Sequence, residues 1–257
     1  MKRIKLGAVL PPIVFGIIFL AAWELFVVAR DIKPFLLPKP SAIWGQFHDN
    51  FTLIRKATQV TGTNAFIGLL LGVVLGSLIA FAASRFKILN ELLSPMAIAV
   101  SAMPIIVLVA IFNDLFSITS EIPRRLMVAV VVFFLVFINV SKGLTQADAT
   151  QLELMRSYGA REAEIIRKVR VPHALEFFFV ALRQAAPLAV VTAFVSEYFG
   201  GLQNGLGSRI SQSIANSRDA AGWAYVVGAC LLGLAFFLLS IALERIAMPW
   251  KLRRSQR

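Results

Sequence analysis

Between Glu153 and Pro172 the chain reads ELMRSYGAREAEIIRKVRVP, a polar, basic stretch set between long apolar runs. Gly159 follows Glu153 by six positions and precedes Pro172 by thirteen. These residue types suit docking rather than bond-making. An acidic side chain can meet a partner's cation, a glycine can end a helix in the left-handed conformation, and a proline fits a first helical turn. The contact candidates are Glu153, Arg156, Ser157, Tyr158, Gly159, Ala160 and Pro172. A second set, Asn64, Met103, Asn113, Arg183, Gln184 and Glu197, lies within or at the ends of apolar segments and comprises the candidates for a solute path. An isolated charge is costly there, so Arg183 must face protein or water. It reads either as a path-lining cation or as the structural partner of a carboxylate or carbonyl, with snorkelling to a membrane face as a third reading. Met103-Pro104 joins the set because a proline frees a backbone carbonyl.

Catalytic chemistry is poorly represented. There is no GxxxxGK[ST] phosphate loop, no HExxH and no CxxC, and His48 and His173 are far apart in sequence. Cys230 stands alone in an apolar run and reads as packing. The expectation is a chain that is not an enzyme and holds no metal and no cofactor of its own.

The elements around these residues are membrane spans. The 257 residues are 58% apolar and 16% charged, with mean hydropathy +0.76, against about a quarter charged in a soluble domain. Several runs reach the ~20 apolar residues that cross ~30 Å of hydrocarbon. Six spans are predicted, at about 7–29, 58–83, 92–116, 126–144, 174–199 and 223–247, in one all-α transmembrane domain covering 1–257. A polar connecting segment occupies about 30–56. Its prolines at 34, 38 and 40 are expected to forbid a regular helix. Gly68, Gly72 and Gly76 share one helix face and predict close helix–helix approach rather than a hinge. A short amphipathic helix is expected between the last two spans.

The net charge of +12 does not point to nucleic acid, because the cations sit at span ends and in one loop. With both termini in the cytoplasm, sixteen Lys and Arg fall on that side and nine opposite, leaving Arg183 aside. The positive-inside rule favours this orientation, which makes the loop at about 145–172 cytoplasmic. Within it, one helix is predicted from Leu152 to Tyr158, stopped by Gly159, and a second from Ala160 to Val171, with Pro172 starting the next element.

Glu153-Leu154-Met155, Gly159-Ala160 and Val169-Arg170-Val171-Pro172 together resemble the EAA loop of binding-protein-dependent ABC importer permeases. The family pattern runs E-A-A, three residues, G, nine residues, I-x-L-P, and the spacing here is the same. Leu154 and Met155 replace the two alanines, and Val169 and Val171 stand at the aliphatic positions. The segment AAWELFVVARDIKPFLLPKPSAIW is similar to the N-terminal part of the nitrate, sulfonate and taurine permease group, as are LRQAAPLAVVTAFVSEYFGG and the Gly205–Gly207 GLG. EYFGG and WAYVVG resemble a branch carrying pyrimidine-type vitamin precursors or riboflavin. Phe112-Asn113-Asp114-Leu115-Phe116 departs from the group's usual Trp-Phe-Gly style sequence.

The resemblance implies a type I importer permease fold in the bacterial plasma membrane, with the 145–172 loop as its coupling-helix element. It implies two ABC ATPase subunits carrying ATP and Mg, a second permease chain (identical or homologous), an extracytoplasmic solute-binding protein and surrounding lipid. The solute expected is a small polar nutrient such as a sulfonate, nitrate or a vitamin or pyrimidine precursor. The rival reading is a stand-alone secondary transporter or channel.

Overall fold

The computed structural model describes residues 6–117, 120–200 and 202–249. Eleven helices account for nearly all of them: α1 (Leu6–Ala29), α2 (Pro40–Asp49), α3 (Phe51–Arg85), α4 (Lys87–Ala102), α5 (Ile105–Leu115), α6 (Ile122–Thr145), α7 (Ala149–Ser157), α8 (Glu162–Ile165), α9 (Val171–Phe199), α10 (Leu206–Ala215) and α11 (Asp219–Ala247). Five helical segments, those containing α1, α3, α6, α9 and α11, are long and apolar enough to cross a membrane, and α4 with α5 forms a bent pair that makes a sixth crossing if counted as one span.

The bundle is built on α3, α6 and α9. A Cβ added at Gly68 would stand 2.5 Å from the Val128 Cβ, and one at Gly72 would stand 2.7 Å from both the Ala129 carbonyl and the Val132 Cβ. Gly76 meets the Phe133 carbonyl at 2.7 Å and the Val136 Cβ at 3.1 Å in the same way. The matched advance of four residues on each helix shows α3 and α6 running parallel, glycine face against valine ridge. Small residues permit this approach, and dispersion contacts stabilise it where lipid tails are as apolar as leucine. Gly143 of α6 lies against Ala174 and Phe177 at the start of α9, so α9 returns antiparallel. Phe134 and Phe137 are buried in the resulting core.

The third predicted span is two helices. Met103 is extended (φ −71°, ψ 131°) before Pro104, because a residue preceding proline is disfavoured in the α region. The chain bends there by 105°. The connecting segment also departs from expectation: Pro40 opens α2 instead of preventing it, since a missing N–H costs nothing in the first turn. The Glu24 carboxylate of α1 accepts from the Ser41 N–H (3.0 Å) and hydroxyl (2.7 Å), holding that helix start against α1. Trp23 and Trp223 meet edge to face at 5.6 Å, but most of α1 is otherwise exposed. Cys230, expected to be packed, is on an exposed face of α11, the apolar face that α11 leaves uncovered.

Candidate functional site: an exposed loop and a buried polar network

At one end of the bundle the chain leaves α6 and projects α7. Asp148 caps that helix, its carboxylate accepting from the Thr150 N–H at 3.0 Å. The helix buries no residue; Glu153 and Leu154 are exposed, and Tyr158 is 81% exposed. An apolar and aromatic surface so open on a helix too short to cross a membrane has the character of a contact surface.

Gly159 then takes φ +72°. The turn closes with the Gly159 N–H donating to the Arg156 carbonyl (2.9 Å) and the Ala160 N–H to that of Met155 (3.0 Å). The Ser157 hydroxyl donates to the Leu154 carbonyl at 2.8 Å, and the Arg156 guanidinium faces Glu162 at 3.5 Å across the turn. Glu164 accepts from the Arg161 N–H at 3.0 Å, fixing the start of α8.

The second loop helix is not the regular one expected over 160–171. After the four-residue α8, residues Ile166–Arg170 form a π turn that runs straight into α9. Pro172 has no N–H for the Lys168 carbonyl and its ring crowds that oxygen, so the local backbone widens. The Val171 N–H bonds the Ile166 carbonyl five residues back. Pro172 therefore sits in the first turn of α9 without starting a separate element, and the loop is joined to the span without a break.

The opposite end holds a buried polar network. Glu197, with no exposed surface, accepts from the Thr61 hydroxyl (2.7 Å) and the Gly207 N–H (3.2 Å). Thr61 in turn accepts from the Leu206 N–H at 2.9 Å. The carboxylate thus lies at the N-terminus of α10, where backbone N–H groups and the helix dipole favour an anion. A Cβ at Gly205 would fall on the Glu197 carboxylate, and one at Gly207 on the Phe194 carbonyl, so glycine is required at both.

One turn along α3 from Thr61, Asn64 donates to Glu121 (2.7 Å) and accepts from Arg125 (3.0 Å). Glu121 also accepts from Asn204 (2.7 Å) and Arg124 (3.0 Å), and Arg124 donates further to Asn204 (2.8 Å) and the Leu202 carbonyl (2.6 Å). Burial pushes the Glu121 carboxyl up. The hydrogen bond from Asn204, the Arg124 charge and the bond from Asn64 outweigh that, leaving it below the usual carboxylate range.

Asn64 and Glu197 therefore lie at the same end of the bundle, Glu197 bonded to Thr61 and Asn64 one turn further along the same helix. The remaining candidates lie elsewhere. Arg183 pairs with Glu244 of α11 at 3.2 Å, while Gln184 beside it is exposed. Met103 lines a cavity of about 280 Å³ with Leu108, Phe134 and Leu188 at the α4–α5 bend. Asn113, half buried near the end of α5, comes within 3.9 Å of a Cβ placed on Gly200. Sequence reasoning missed Thr61, Glu121, Arg124, Arg125, Asn204 and Glu244. A carboxylate and two arginines at the head of an apolar run were the available signal for three of them.

Residues 72–251 match the family described as binding-protein-dependent transport system inner membrane component. The chain is 31% identical over 247 residues to the formylaminopyrimidine transport permease protein ThiX of Halalkalibacterium halodurans, covering 94% of this chain and 96% of that one. It is 25% identical over 250 residues to the aliphatic sulfonates transport permease protein SsuC of Bacillus subtilis, covering 95% and 87%. Among solved structures, the MetNI methionine ABC transporter in inward-facing form gives a TM-score of 0.52 at 16% identity, over 76% of this chain and 94% of that one, and shows a shared fold. The chain belongs to the binding-protein-dependent inner membrane component family and is an ABC importer permease, a multi-pass membrane protein whose family works with ATPase and binding-protein partners.

Proposed function

We propose that α7, the Gly159 turn and α8 form the element that docks in the ATPase, with Glu153, Arg156, Ser157, Tyr158, Gly159 and Ala160 making the contact and Pro172 shaping its junction with α9. The observation that carries this reading is that α7 buries no residue and leaves all but Leu152 and Met155 exposed, in a helix capped at its start and turned by a left-handed glycine at its end. A helix that buries nothing in its own chain, yet is fixed in shape, is prepared for another protein. Beyond the Gly159 turn, the unbroken helical path from α8 through the π turn into α9 supplies the lever: displacement of the loop moves a span directly.

In this reading two ATPase subunits, carrying ATP and Mg, serve a pair of permease chains, identical or homologous, and a solute-binding protein delivers solute at the opposite end. This chain itself catalyses nothing, needs no cofactor and forms one permease domain. Both termini and the loop face the cytoplasm of a bacterial plasma membrane, in keeping with the Lys and Arg asymmetry. The solute is a small polar nutrient. The extent of the likeness to a formylaminopyrimidine permease favours a pyrimidine-type precursor over a sulfonate or nitrate.

Co-purification tests the docking. Tagged wild type is expected to bring down its partner ATPase, and Glu153→Ala and Gly159→Arg to lose it. A chain that purifies alone and moves solute without ATP would be a stand-alone transporter, and the coupling reading would fall.

A further inference from the structure

A crevice of about 310 Å³ opens where α3, α6 and α9 converge at the loop end. Ser77 and Phe81 of α3, Val140 and Leu144 of α6, and Val171 and Ala174 of α9 line it. Phe178 lies both on this crevice and on a larger apolar groove of about 380 Å³ between α3, α9 and α11. The two follow one another along a single stripe of α3: Phe66, Leu70, Val73, Ser77 and Phe81. At 1.5 Å per residue that stripe is roughly 22 Å long, more than the ~15 Å that one leaflet contributes to the hydrocarbon core. Two adjoining crevices along such a stripe, walled almost wholly by apolar side chains, together offer a channel for an acyl chain.

The loop end of the channel is cationic. Arg85 lies one turn beyond Phe81 on the α3 stripe, and Arg167 one turn before Val171 in the π turn. Both are exposed, and neither is paired with a carboxylate among the described residues. Their neighbours Arg156 and Lys168 are paired, with Glu162 and Glu164. Within the crevice the Ser77 hydroxyl oxygen is buried without a hydrogen-bond partner, although a helical serine ordinarily returns its hydroxyl to its own helix.

We propose that this channel is a binding site for an anionic phospholipid, with one acyl chain along the α3–α9 groove and the headgroup phosphate on Arg85 and Arg167. The apolar walls select a lipid over a free anion, and the two unpaired cations select an anionic over a zwitterionic headgroup. The site touches the π turn through Val171, so an occupied channel braces the joint between loop and span.

Native mass spectrometry of the full chain in mild detergent tests this, with equal additions of dioleoylphosphatidylglycerol and dioleoylphosphatidylcholine. Wild type is expected to retain phosphatidylglycerol selectively. Since each surface arginine contributes about fivefold to anionic-lipid binding, Arg85→Gln with Arg167→Gln should lower that selectivity by about 25-fold. Ser77→Phe, which fills the crevice, should reduce retention of both lipids, and millimolar inorganic phosphate should displace neither. Selectivity absent in wild type, or kept in the double variant, overturns the site. So does unchanged retention in Ser77→Phe, or displacement by phosphate. The readout uses no ATPase, so its failure leaves the docking reading standing.

Discussion

The two ends of this bundle use polar residues in opposite ways. At the loop end the contacts are short in sequence and open to solvent: Asp148 reaches two residues to Thr150, Glu164 three to Arg161, and Arg156 six to Glu162. At the other end they are long and wholly or partly buried. Asn64 reaches 57 residues to Glu121, Asn204 reaches 83, and Thr61 meets Glu197 across 136. The α7 half of the loop is shaped by its own short-range bonds and leaves most of its surface free, while Ile165 of α8 is buried against the bundle. The network spends its polar groups on one another and fixes four segments together. The first arrangement suits reception of a partner, the second a rigid anchor against which a span can be moved.

Arg124→Ala attacks the network hardest. It takes from the Glu121 carboxylate its ion-pair partner and from the Leu202 carbonyl its donor, and breaking a buried pair costs about 3–5 kcal/mol. The low end applies, because the Glu121 side chain remains 23% exposed. A large fall in the thermal midpoint of the detergent-purified chain is expected, with ATPase co-purification retained in whatever remains folded. Gly72→Val comes next: overpacking the α3–α6 contact should cost about 1–3 kcal/mol in the same measurement.

Gly159→Ala sharpens the contrast from the other side. A Cβ there meets nothing within 4 Å, so only the left-handed backbone at φ +72° is strained, at about 1 kcal/mol. The thermal midpoint should barely move while ATPase binding weakens, which reverses the Arg124→Ala pattern.

The smallest effect is that of acid on Glu121. Its folded value is depressed, so its contribution is present above the unfolded carboxylate value and is lost as pH falls through the folded one. Thermal scans across that acidic range should lose less stability in Glu121→Gln than in wild type.

The same difference in range decided what could be read from the chain alone. The stop of the first loop helix was legible because its determinant is local, a glycine at the helix end; its start was not, since the Asp148 cap sets it at Ala149 rather than at Leu152. The α3–α6 contact was legible through glycines spaced by four, although the partnering valines were not. Where proline acts through its surroundings, local reading failed. Pro40 became a helix start, Pro104 divided a span, and Pro172 widened the turn before it into a π turn. The network was hidden because Glu121, Arg124 and Arg125 resemble ordinary boundary charges until folding brings Asn64 and Asn204 to them. Glu197 was visible as a polar residue near a span end. Its place at the start of α10 depends on Gly205 and Gly207, whose need for close approach only the fold makes plain.

Cysteine cross-linking measures the central claim most directly, because Cys230 is the only native cysteine and Cys230→Ser clears the background. Tyr158→Cys at the loop and Asn216→Cys at the far end are each combined with that change in the assembled transporter. The account predicts a cross-link to the ATPase from position 158 that depends on nucleotide, and none from position 216. A cross-link from 216 alone, or none from 158 in a transporter that still imports, would contradict it.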